Sequence, residues 1–150
     1  GLWKAAELNP SYIVDLATLT GACVVALGQE ASGLWSNDDN LRERIHQAGN
    51  SVDELAWPMP LLPAFEKEMT DSKIADTRNL GAGRWGGANT AAAFLKQFVP
   101  NRNYEKDGEQ IPWAHMDIAG TYWGAKTNTM VGNGATGIHV RTMYHLITNG

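Results

Sequence analysis

Apolar and polar positions along this chain alternate between two rhythms. Leu2, Ala5, Ala6 and Leu8 recur at helical spacing, which predicts a helix before Asn9-Pro10. That helix has no N-cap residue and no preceding polar turn, so it is expected to continue from an upstream part. Tyr12 to Ala17 reads as a short buried strand. Cys23 to Leu27 is a second apolar run, closed by Gly28 and read as another strand, and Gly33 to Ser36 as a third. A helix from Asp38 to Ala48 follows, with Leu41, Ile45 and Ala48 on one face. Ser36 or Asn37 is its expected cap and Gly49 its stop, with Asp38 and Asp39 in its first turn.

Trp57-Pro58-Met59-Pro60 cannot lie inside a helix, because proline lacks the N–H and clashes with the preceding turn. A short helix is predicted over Ala64 to Met69. Gly81, Gly83, Gly86 and Gly87 surround Arg84 and Trp85 in a loop that feeds an alanine-rich helix from Ala88 to Phe98. Asn101 to Gln110 is charged and reads as a solvated loop. Trp113 to Ala119 is a strand ending at Gly120, and Lys126 to Gly134 a loop. Gly137 to Ile147 is a final helix with Val140, Met143, Tyr144 and Ile147 on one face. Short strands alternating with helices predict an α/β domain with a mixed, largely parallel sheet flanked by helices. One domain over residues 1–150 is the simplest reading.

Composition adds limits rather than detail. The chain has 150 residues, 43% apolar and 19% charged, an ordinary globular balance. Net charge is −4 and no basic stripe stands out, which argues against nucleic acid as a partner. The single Cys23 excludes an internal disulfide and points to a reducing compartment. No apolar stretch approaches the roughly 20 residues of a membrane-spanning helix, and no signal peptide opens the chain, so a soluble cytoplasmic protein is expected.

Three stretches carry candidate chemistry. Asp15-Leu16-Ala17-Thr18-Leu19-Thr20-Gly21-Ala22 ends a strand with hydroxyls, backbone amides and a glycine, where open α/β sheets bind ligands. The plain alternative is a polar turn. Asn79 to Thr90 places Arg84 near a helix start that could hold an anion, although no Gly-Lys-Ser/Thr follows as a phosphate loop requires. An ordinary flexible connection is the preferred reading. In Trp113-Ala114-His115-Met116-Asp117-Ile118-Ala119-Gly120, His115 and Asp117 share one face of a strand. They suit metal ligation or acid–base work, or simply a hydrogen-bonded buried pair. None of His46, His115, His139 and His145 forms a His-Glu-x-x-His site, and no Gly-x-Ser-x-Gly elbow occurs. Cys23, flanked by apolar residues, reads as a core thiol.

The same stretches resemble the leucyl (cytosol) aminopeptidase family. The resemblance rests on Val14 to Ala22, Trp57 to Leu61, Ile74-Ala75-Asp76 with Asn79, Gly87 to Leu95, Trp113 to Gly120, and Gly134-Ala135-Thr136-Gly137 with Val140-Arg141. These follow the family's order and cover essentially the whole chain. The resemblance implies part of a zinc-exopeptidase-like catalytic domain that releases N-terminal residues, leucine-type, from peptides. It implies two divalent metals, zinc with manganese or magnesium tolerated, which activate a bridging water and polarise the scissile carbonyl. It also implies a cytoplasmic homohexamer.

The family's metal ligands include a lysine and aspartates, and an Asn-Thr-Asp-Ala-Glu-Gly-Arg signature whose arginine assists catalysis. None of these matches a position here, and the signature is expected just before Gly1. No metal-ligand or catalytic role therefore passes to any residue of the chain; Asp15 and Asp117 match no ligand position. What the resemblance carries over is the pocket. Thr18, Leu19 and Gly21 match the substrate-binding loop, with the backbone at Leu19 facing a bicarbonate-like anion and Thr18 offering a carbonyl to the substrate's amino group. Ala119 and Tyr122 match the wall around the first side chain. The chain alone is expected to be inactive, and a truncated or inactive homologue serving as a scaffold or binding module is the competing reading.

Overall fold

The computed structural model describes residues 1–124 and 133–149. Four strands form one sheet: β1 (Ile13–Ala17), β2 (Ser32–Ser36), β3 (Ala56–Pro58) and β4 (Trp113–Asp117). Their spatial order is β1-β4-β2-β3. β1 pairs with β4 and β2 with β3 in parallel, whereas β2 runs antiparallel to β4. The sheet is mixed and largely parallel, as the pattern of strands and helices predicts. Because β2 reverses, its first residue, Ser32, lies at the same end of the sheet as the carboxyl ends of β1 and β4.

Helices α1 (Leu2–Ala6), α2 (Gly21–Leu27), α3 (Asp39–Ser51), α4 (Pro63–Thr70), α5 (Gly87–Lys96) and α6 (Val140–Asn149) cover the sheet. Strand residues two apart share a face. Leu34, Ala114 and Met116 point to one side and pack with Leu41, Ile45 and Ala48 of α3 and Leu146 of α6. On the other side Trp35 packs with Cys23 of α2 and with Ala88 and Ala92 of α5. A third cluster joins Trp113 to Ile111, Val99, Ile13 and Ala6.

Several expectations change in the structure. Cys23 to Leu27 is helical rather than a strand. The Thr20 side chain accepts the N–H of Cys23 and starts the helix, and Val25 on its outer face is exposed. A short apolar run cannot separate the two structures by periodicity alone. Asp38, not Ser36 or Asn37, caps α3, its carboxylate accepting the Leu41 N–H at 2.7 Å. Ser36 and Asn37 are instead bonded to the Trp113 carbonyl and N–H.

Gly49 does not stop α3, which runs on to Ser51. Glycine is needed there because a Cβ would collide with the Glu54 carbonyl oxygen. The strand predicted to reach Ala119 ends at Asp117. Most of the Lys126 to Gly134 loop lies outside the described residues. The predicted inner face of the last helix is largely wrong: Val140, Tyr144 and Ile147 are exposed, while Thr142 and Leu146 are buried and Met143 is half-buried. Glu54 binds the Thr142 N–H and hydroxyl and so sets the helix's rotation.

Candidate functional site

The parallel strands β1 and β4 end together, and the Ile118 N–H continues their ladder to the Ala17 carbonyl at 2.9 Å. Two segments leave this point, residues 18–21 from β1 and 118–122 from β4. One buried carboxylate ties them together. Asp117 Oδ1 accepts the N–H of Leu19 at 3.0 Å and of Ala119 at 3.1 Å. Its Oδ2 accepts the N–H of Thr20 at 3.1 Å and the Thr20 hydroxyl at 2.8 Å. Four donors on a carboxylate of zero exposure satisfy a group that would otherwise be costly to bury.

The structure thus brings all the sequence-predicted pocket residues to one end of the sheet. Thr18 and Gly21 are exposed, Leu19 and Ala119 half-buried, and Tyr122 is exposed beside Trp123. The Leu19 N–H turns inward to Asp117. Gly21 is exposed and is the first residue of α2, whose opening amides have no partner within the helix.

The wall is braced from behind. A Cβ on Gly120 would collide with the Gly28 carbonyl oxygen, so only glycine lets β4's exit lie against the end of α2. The backbone of 122–124 pairs with 134–136, and the Thr136 hydroxyl donates to the Thr121 carbonyl at 2.7 Å.

His115 and Asp117 do not bond to each other. His115 Nδ1 lies 2.6 Å from Asp15 Oδ1, and the second Asp15 oxygen accepts the Trp113 indole N–H at 2.6 Å. His115 is fully buried between Trp35 and Trp113. The in-register pairing of Asp15 with His115 across β1 and β4 decides this partnership. Neighbouring strands approach more closely than alternate residues of one strand. Asp117 as the tie between the two segments is a role the sequence pattern does not reveal, because its partners Leu19 and Thr20 lie almost a hundred residues away.

From the glycine-rich stretch, Gly87 approaches Ala22, whose Cβ would be in tight contact with a Cβ added to Gly87. Asn89 accepts the Trp35 indole N–H at 3.0 Å. Arg84 stacks on the exposed Trp85 instead of reaching the pocket. Cys23 is a core thiol whose pKa burial pushes up to about 11, with the nearby Asp117 adding to the effect. Among the described residues, no three His, Cys, Asp or Glu side chains converge as metal ligands. Asp15 and Asp117 are committed to the partners above, so the described residues do not fit a metal pair.

The fold is an α/β domain in which residues 18–21 and 118–122 leave the carboxyl ends of two parallel strands, the position where open α/β sheets generally bind ligands. The catalytic-domain profile of the cytosol aminopeptidase family matches residues 1–144, and the chain belongs to that family. It is 48% identical over 147 residues to a probable cytosol aminopeptidase of Afipia carboxidovorans, covering 97% of this chain and 27% of that protein. A probable cytosol aminopeptidase of Parasynechococcus marenigrum is 49% identical over 148 residues, covering 99% of this chain and 28% of its own length. One from Syntrophotalea carbinolica is 45% identical over 146 residues, covering 97% and 27%. The chain therefore spans about a quarter of the length of these relatives. Among the described residues no helix is long and apolar enough to cross a membrane.

Proposed function

We propose that this chain supplies the substrate-pocket part of a metal-dependent, cytoplasmic aminopeptidase that releases N-terminal residues, leucine-type, from peptides. The observation carrying this reading is the Asp117 tie, which sets the Thr18–Gly21 loop beside the Ala119–Tyr122 wall. A substrate's free amino group would be held at the Thr18 carbonyl, and its first side chain between Ala119 and Tyr122. The bicarbonate-like anion would sit beside the Leu19 backbone. Since the Leu19 N–H is bound by Asp117, the donor offered to the anion would be that of Gly21.

The divalent ions, zinc with manganese or magnesium tolerated, would be held by residues outside this chain. Homohexameric assembly belongs to the same reading. The test is turnover of Leu-p-nitroanilide with added zinc or manganese. The 150-residue chain alone is expected to show none, and the complete polypeptide as its gene encodes it is expected to be active. Robust metal-dependent turnover by the chain alone would refute the placing of the ligands outside it. An inactive complete polypeptide would refute the aminopeptidase reading and favour a scaffold or binding module.

A further inference from the structure

Behind the pocket wall runs a buried row of hydrogen bonds that the proposed reaction does not use. Glu54 Oε2 accepts both the N–H and the hydroxyl of Thr142, each at 2.8 Å, and its Oε1 accepts Arg141 Nε at 3.1 Å. A carboxylate only accepts, so the Thr142 hydroxyl proton is committed to it. The Thr142 oxygen, 3.1 Å from His139 Nδ1, must then accept from that nitrogen. In a neutral imidazole this leaves Nε2 bare, and it accepts the Ser32 hydroxyl at 2.8 Å. Burial holds His139 neutral, lowering its pKa to about 4 against a smaller opposing pull from Glu54. The Ser32 oxygen in turn accepts the Thr121 hydroxyl at 2.7 Å. Every donor therefore points one way, from Thr121 to Glu54.

Ser32, Thr121, His139 and Thr142 are 0–1% exposed, so no solvent competes for these bonds. The near end lies inside the pocket wall, since Thr121 stands between Ala119 and Tyr122. The far end lies on α6 and on the loop after α3. We propose that this one-directional chain fixes the pocket wall, making Ser32, His139 and Thr142 positioning residues for the choice of the substrate's first side chain. The proposal rests on the aminopeptidase reading above for the identity of the pocket.

The test compares Thr142→Val, which removes the hydroxyl at nearly constant shape, with Thr142→Ser, which keeps it. Both are made in the complete polypeptide. Thr142→Val is expected to change the ratio of kcat/KM for Leu- over Ala-p-nitroanilide about five- to tenfold, mainly through KM. The kcat for the alanine substrate should stay within about twofold. Thr142→Ser and wild type should share one ratio. Thr121→Val, at the near end, should reproduce the Thr142→Val change. If Thr142→Val does not fold, Ser32→Ala carries the same comparison. A lower melting temperature with an unchanged ratio would overturn the proposal. If the wild-type polypeptide cleaves neither substrate, the aminopeptidase reading fails on its own. The anchoring of the wall is then decided by backbone amide shifts of residues 119–122: movement in Thr142→Val but not in Thr142→Ser supports it, and no movement overturns it.

Discussion

Thr20 gives both its backbone N–H and its hydroxyl to one oxygen of Asp117, at 3.1 and 2.8 Å. The same Thr20 oxygen accepts the Cys23 N–H at 3.0 Å and so caps α2. The loop, the helix start and the strand end are thereby one hydrogen-bonded unit. Asp117→Asn keeps the shape but puts an amide nitrogen where one carboxylate oxygen accepts two donors. On Oδ2 it faces Thr20, and on Oδ1 it faces Leu19 and Ala119. Either way buried donors oppose each other. The expected cost is about 2–4 kcal/mol of stability, read by denaturant unfolding. In the complete polypeptide kcat/KM should fall at least about tenfold.

Thr20→Val separates the cap from the loop. It removes the hydroxyl's bonds to Asp117 and to the Cys23 N–H, while the backbone bond to Asp117 can remain. A loss of about 1–2 kcal/mol is expected, and Thr20→Ser should restore most of it. Equal stability of the valine and serine variants would show that the cap contributes nothing.

Much of this architecture is legible in the sequence alone. The strand patterns of Tyr12–Ala17 and Trp113–Ala119 and the stripe of Leu41, Ile45 and Ala48 reflect strong burial, and burial writes period into sequence. The errors fall where a distant partner decides. Cys23–Leu27 becomes a helix because Thr20 caps it and Trp35 covers one side. α6 turns Val140, Tyr144 and Ile147 outward because Glu54, on another segment, grips Thr142. His115 takes Asp15 rather than Asp117 because strand register, invisible in one sequence, sets them side by side. The family resemblance singles out Thr18, Leu19, Gly21, Ala119 and Tyr122, and they lie at one end of the sheet. The carboxylate that assembles them is not legible, because its bonds to Leu19 and Thr20 span almost a hundred residues of chain.

Gly120→Ala tests how closely the wall must lie against α2. Its Cβ would strike the Gly28 carbonyl, which is backbone and cannot rotate away. The exit of β4 must shift, at an expected cost of about 2 kcal/mol or more. Gly28 itself ends α2, its N–H bonded to the Val24 carbonyl, so the displacement should reach that helix. Thermal unfolding gives the cost. Cysteine labelling gives the reach: the Cys23 thiol, buried and with its pKa raised to about 11, should resist a disulfide reagent at pH 8 in wild type. It should react faster in Gly120→Ala.

His139 gives the fold a defined response to acid. Its folded pKa, about 4, lies below the ordinary histidine value of 6.5, because burial disfavours the imidazolium more than Glu54 favours it. The unfolded chain therefore binds a proton at higher pH than the folded one, and this histidine's contribution is lost as pH falls. The loss begins near pH 6.5 and is complete near pH 4, amounting to roughly 3 kcal/mol at most. Protonation would also put a hydrogen on Nε2, which now accepts the Ser32 hydroxyl, so Ser32 would have to reverse. Its proton would then face Thr121, whose hydroxyl would be left with the Ile118 carbonyl at 3.4 Å. Unfolding free energies measured between pH 7 and 4 should show this slope in wild type and lose most of it in His139→Gln. Nitrogen NMR of the ring should show the neutral form with the proton on Nδ1 at pH 6. An imidazolium at that pH would refute both the slope and the direction assigned to the bonds.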